Sequence, residues 1–183
     1  NASMIAYRID IADACAHRYR VTLTVGQPTF PVTVSLPVWI PGSYMVREFA
    51  RHVQALQAHV GTKPLDVTAL DKTTWRVDAA GTKPTRGALT LQYEVYAFDP
   101  SVRAAFLDDA RGFFNGTSLF LRVHGHEDTR HTVAIGKLPR GWRVATAMPA
   151  ASSKQFAAAN YDEVVDHPFE LGAFWRGSFD ARG

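Results

Sequence analysis

Three groups of side chains in this chain have the residue types and spacing that chemistry needs. The first is His124-Gly125-His126-Glu127-Asp128 with His131, the densest gathering of the seven histidines. Histidines at i and i+2 on a strand share a face, and imidazoles beside carboxylates make a zinc-type donor set. The intervening glycine loosens that geometry, and a polar turn between strands accounts for the same residues. A zinc-peptidase helix carries His-Glu-x-x-His. Here His126-Glu127-Asp128-Thr129 is followed by Arg130, so the second ligand is missing. The second group is Ser43, placed just after Pro41-Gly42 with His52 as the nearest base in sequence. A serine nucleophile needs a positioned base, and Ser43 reads instead as a helix N-cap. The third is Asp108-Asp109, a carboxylate pair of the kind used in general acid–base work, which reads more simply as a solvated loop tip. No nucleophile elbow, Walker loop or dinucleotide-binding glycine fingerprint occurs. The residues assign no catalytic group and no metal ligand set.

Composition narrows the classes further. In 183 residues, 46% are hydrophobic and 20% charged, enough for a substantial core in one domain. The formal net charge is +3, but the basic residues are scattered and form no stripe that could track phosphates, so no nucleic-acid partner is expected. No apolar run approaches the ~18 residues that span a bilayer, so no membrane partner is expected. Cys15 is the only cysteine, which excludes an internal disulfide and a thiolate metal site. Flanked by Ala14 and Ala16, it is expected to be buried or half-buried. Asn1-Ala2-Ser3 reads as the remnant of a cleaved expression tag, leaving residues 4–180 as one domain.

The elements that must position any site are strands. Ile5, Tyr7, Ile9 and Ile11 alternate with polar positions, as do Tyr19, Val21, Leu23 and Val25. A third strand from Phe30 to Val38 would complete an antiparallel meander. Residues 51–60 fit a strand with His52, Gln54, Leu56, Ala58 and Val60 on one face. Gly61-Thr62-Lys63-Pro64 reads as a hairpin loop, followed by strands over 65–70 and 73–77. Gly87 to Phe98 alternates most clearly, with Leu89, Leu91, Tyr93, Val95 and Ala97 on one face. Residues 101–116 read as an irregular, cleft-lining loop. Strands return over 119–123, 131–135 and 142–148, and the Ala/Ser-rich stretch 150–160 is left unassigned. Tyr161 to Asp166 suggests a helical turn stopped by Pro168, before a last strand from Phe169. About eleven strands with little helix spell an all-β, layered antiparallel sandwich.

The stretch Leu36–His52 stands apart. It carries Trp39-Ile40-Pro41-Gly42-Ser43-Tyr44-Met45-Val46-Arg47-Glu48-Phe49-Ala50-Arg51. Together with Leu70-Asp71-Lys72-Thr73-Thr74-Trp75-Arg76-Val77, Tyr93-Glu94-Val95-Tyr96-Ala97 and Gly112-Phe113-Phe114-Asn115-Gly116-Thr117, it resembles the N-terminal domain of the glycyl aminopeptidase family. The likeness runs from about Ile5 to Phe179. The resemblance implies a bacterial protein, with cytoplasm or periplasm left open, so the glycosylation-type pattern at Asn115-Gly116-Thr117 is without consequence. It also implies a saddle-like β domain that precedes a zinc-bearing catalytic domain and a PDZ domain. That whole enzyme would release N-terminal glycine or alanine. Zinc is expected there and no cofactor in this fragment, which lacks His-Glu-x-x-His and should be inactive alone.

On this reading the partners are the downstream catalytic domain and the amino end of a peptide substrate. Tyr44, Arg47, Glu48 and Asn115 are the candidates for the substrate cleft or the domain interface. A second reading is a stand-alone ligand- or carbohydrate-binding sandwich, with Trp39, Trp75, Trp142 and Trp175 as platforms.

Overall fold

The computed structural model describes residues 4–37, 52–81, 86–99 and 105–174. The long alternating segments form the strands read from sequence: β1 (Ile5–Asp13), β2 (Arg18–Val25) and β8 (Leu89–Tyr96). Their inward residues, Ile5 to Ile9, Tyr19 to Val25 and Leu89 to Val95 taken alternately, are all buried. The strands lie side by side in an eight-stranded sheet, whose order is β14-β15-β12-β1-β2-β8-β4-β5. The added members are β4 (Val53–Val60), β5 (Lys63–Leu65), β12 (His131–Ile135), β14 (Ala150–Ser152) and β15 (Gln155–Ala158). Pairing is antiparallel except between β1 and β12, which run parallel with Ile5 opposite His131.

Two four-stranded sheets cover the buried face. One has the order β13-β16-β10-β9, from β9 (Ala105–Leu107), β10 (Arg111–Phe114), β13 (Arg143–Ala145) and β16 (Phe169–Gly172). The other has the order β11-β3-β7-β6, from β3 (Val32–Ser35), β6 (Val67–Ala69), β7 (Thr74–Val77) and β11 (Arg122–Val123). Apolar residues from all three sheets join one core, so the layered all-β expectation holds.

Several local expectations do not. β3 belongs to a small sheet and not to a meander with β2, because the chain crosses to the second layer after Gly26. Residues 65–70 split between β5 and β6, which pair in different sheets. The period of β4 is broken by a bulge between Gln54 and Gln57, where Ala55 has φ 53°, so Gln54 is exposed and Ala58 buried. The supposed loop over 101–116 contains the β9–β10 hairpin, and 150–158 contains the β14–β15 hairpin. The apolar run 119–123 is strand only at Arg122–Val123; before it lies α1 (Gly116–Leu119). Cys15 is exposed in the β1–β2 turn. As read, Tyr161–Asp166 is helical (α2), with the Asn160 side chain accepting from Glu163 N–H at 2.8 Å.

Candidate functional site

Asn115 stands where β10 becomes α1, which links the two small sheets. Its extended backbone (φ −95°, ψ 140°) ends the strand. Its side chain does not cap the helix; its carbonyl accepts the Ser118 N–H at 2.9 Å. All four residues of α1 are buried, so half-buried Asn115 is the last side chain before the segment enters the core. Gly116 lets this happen. A Cβ there would lie 2.8 Å from Val165 Cα and 2.9 Å from the Val164 carbonyl oxygen, so α2 can approach only a glycine. Gly112, within β10, makes room in a similar way for the Tyr19 hydroxyl, which sits over its Cα.

The segment that follows is held by tyrosines. Tyr93, Tyr161 and Tyr7 donate to the carbonyls of Leu119, Phe120 and Leu121 in turn. The Tyr161 and Tyr7 bonds measure 2.8 and 2.7 Å. Tyr93 also accepts the Leu121 N–H at 3.3 Å, and Tyr19 donates to the Phe106 carbonyl at 2.9 Å. Burial is the main cause that pushes all four hydroxyls well above the ordinary phenol range. They remain neutral donors at any pH the protein meets. Around them Phe114 stacks on Phe169 at 5.0 Å between ring centres, and Phe120 lies against Tyr7 at 4.6 Å. Each such buried aromatic stabilises the fold by about 1.5–3 kcal/mol. Asn115 thus stands at the start of a rigid segment.

Of the other predicted residues, Tyr44, Arg47 and Glu48 lie outside the described residues, as does Ser43. Their segment leaves β3, whose Ser35 lies opposite Arg122 directly after the clamped carbonyls, and returns at His52. His52 is 6.0 Å from Tyr96 between ring centres. There an aromatic row begins: His17 packs on Phe98 at 4.1 Å, Phe98 on Phe106 at 5.6 Å, and the Arg111 guanidinium covers Phe106 at 4.8 Å. Tyr96 and Phe98 are 39% and 53% exposed, an unusual display for residues of this size. Exposed aromatics with arginine are the composition of protein interfaces.

The histidine cluster is dispersed. His124 bonds Ser35 Oγ at 2.8 Å on the surface, whereas His131 is fully buried. The His131 ring lies 6.0 Å from both the Tyr7 and the Tyr161 ring, centre to centre, and bonds the Thr129 carbonyl through Nδ1 at 2.7 Å. Desolvation lowers its pKa below 6.5, so the neutral ring is the native form. Among the described residues no group of three or more His, Cys, Asp or Glu could hold a metal ion. Asp108 caps the β9–β10 turn, accepting the N–H groups of Ala110 and Arg111 at 2.9 and 2.8 Å. Asp71 does likewise for Thr73, whose N–H lowers the pKa of this exposed carboxyl.

The tyrosine clamp is only half legible in the sequence. Alternation places Tyr7, Tyr19 and Tyr93 on the buried faces, and a buried tyrosine needs a hydroxyl partner, but nothing local says that the partner is the 119–121 backbone.

Comparison with known proteins supplies the context. One solved structure, an aminopeptidase N family protein from Idiomarina loihiensis, superposes with TM-score 0.90 at 38% identity. The match covers 98% of this chain and 31% of that one, so the present chain spans less than a third of the relative's length. An M1 zinc metallopeptidase from Deinococcus radiodurans, solved with a Tyr-Ser-Ala substrate, shares the fold alone. It has TM-score 0.51 and 10% identity, over 94% of this chain and 42% of that one. No curated protein sequence matches the chain. The Peptidase M61 N-terminal domain family matches residues 6–173, and with Asn115 and its tyrosine base inside that span, this chain belongs to that family.

Proposed function

We propose that residues 4–180 form the non-catalytic N-terminal domain of a zinc-dependent aminopeptidase, which packs on a downstream catalytic domain and forms one wall of its cleft. The observation that carries this is the likeness to a chain more than three times as long, of which this domain covers 31%. The sequence contains no His-Glu-x-x-His, and the described residues offer no set of ligands for zinc. On this reading the metal of the whole enzyme sits in another domain, together with the chemistry of water activation that zinc supplies when bound.

The contribution of this chain is positional. The Asn115 side chain, carried at the start of the buried α1, brings an amide oxygen of the kind that accepts a hydrogen from a substrate ammonium group. A wall at this point admits chain ends and excludes internal peptide bonds, which fits release of N-terminal glycine or alanine. Tyr44, Arg47 and Glu48 are assigned to the same cleft or to the interface through the segment they share. The row Tyr96–Phe98–Phe106–Arg111 is assigned to the domain contact. A PDZ domain and a bacterial source complete the reading. The Trp75 and Trp142 side chains pack against the core, which argues against a row of exposed carbohydrate platforms.

The test is the reading frame beyond Gly183. A His-Glu-x-x-His helix within roughly the next hundred and fifty residues supports the proposal. A stop codon or an unrelated domain there overturns it.

A further inference from the structure

Away from Asn115, a cavity of about 580 Å³ opens between β13 and the β14–β15 hairpin. That is within the size range of small-ligand sites. Its floor is apolar, with Met148 and Phe156 buried and Trp142 half-buried at one side. Its rim carries Arg143 and Lys154, and no described residue lining it is an aspartate or glutamate. Neither cation appears in an ion pair among the described residues; the five pairs found there lie elsewhere. The two walls are both sheet edges. Among the described residues β13 pairs only with β16, and β14 only with β15, so each turns one row of backbone N–H and C=O groups away from its sheet.

We propose that this cavity binds the carboxyl end of a peptide whose last residue is large and apolar. The apolar floor receives the side chain, and the free edges receive the extended backbone as an added strand. Arg143 and Lys154, two cations with no acidic neighbour among the described residues of the rim, receive the terminal carboxylate. Charge complementarity selects this occupant over a neutral sugar or a basic segment. The inference is independent of whether a catalytic domain follows, because every group it uses is in this chain.

The test is calorimetric titration of the 183-residue chain at low ionic strength with N-acetyl-Leu-Phe, as the free acid and as the amide. We expect saturable one-to-one binding of the acid, with the amide about tenfold weaker. High salt should close most of that gap. A double R143Q/K154Q variant should bind the acid no better than the amide while keeping the parent melting temperature. W142A should weaken both ligands. Equal affinity for acid and amide, or no saturable binding by the folded chain, overturns the proposal. So does binding that appears only when the chain is ended at Phe174 with its melting transition retained, since residues 175–183 would then be the occupant.

Discussion

Replacing Gly116 with alanine tests the packing argument at its tightest point. The new methyl would meet Val165 Cα at 2.8 Å, the Val164 oxygen at 2.9 Å and Phe120 Cδ2 at 2.9 Å. Two of these are backbone atoms and cannot rotate away. For contact to become ordinary, α1 and α2 must separate by roughly 0.6 Å. That movement stretches the Tyr161–Phe120 hydrogen bond, now 2.8 Å, and the Tyr161 N–H bond to the Glu127 carbonyl, also 2.8 Å. Overpacking of this kind costs about 1–3 kcal/mol. Alanine's better helix propensity returns at most about 1 kcal/mol, and less in a single turn. The net loss is about 1–2 kcal/mol, or about 2–8 °C in melting temperature for a domain of this size. Gly172→Ala is the matched control, since its nearest neighbour, Arg111 Cβ, lies at 3.6 Å and no positive φ is involved. Thermal and urea unfolding followed by circular dichroism measure both. An unchanged or raised melting temperature for Gly116→Ala, or an equal loss in both variants, refutes the reasoning.

Other outcomes follow from the same geometry. Tyr161→Phe and Tyr7→Phe each leave one buried carbonyl without its partner and should cost about 1–3 kcal/mol in urea unfolding. Tyr93→Phe should cost more than either, because its hydroxyl serves both the Leu119 carbonyl and the Leu121 N–H. The buried His131 resists protonation, with its folded pKa below 6.5. The unfolded chain takes up that proton first as pH falls, so stability is full above about pH 6.5 and declines below it until the folded pKa is reached. Melting temperatures from pH 8 to 5 should show that decline, and His131→Phe should flatten it. A variant with the parent slope would place the titration elsewhere.

Legibility in the sequence tracked the reach of each interaction. β1, β2 and β8 were readable because alternation over eight or nine residues records burial of a whole face. β9, β10, β14 and β15 are three or four residues long, and each exists through a partner that local pattern does not reveal. Leu119-Phe120-Leu121 looked like strand, but tyrosine hydroxyls take its carbonyls in place of a neighbouring strand. The β4 bulge broke the period that had placed Gln54 on the face of Ala58. At the candidate site, Asn115 was marked by its segment's family likeness, whereas the glycine beneath it and the clamp around it needed coordinates. Tyr44, Arg47 and Glu48 rest on the family likeness alone, because they lie outside the described residues.

The central claim is that this domain shapes an aminopeptidase cleft without performing the chemistry. Hydrolysis of glycyl and alanyl aryl-amides, with zinc supplied, by the whole protein and by the 183-residue chain in parallel tests it most directly. The account predicts turnover by the whole protein, none above blank by the chain, and a raised KM with little change in kcat for Asn115→Ala in the whole protein. Hydrolysis by the isolated chain would contradict it.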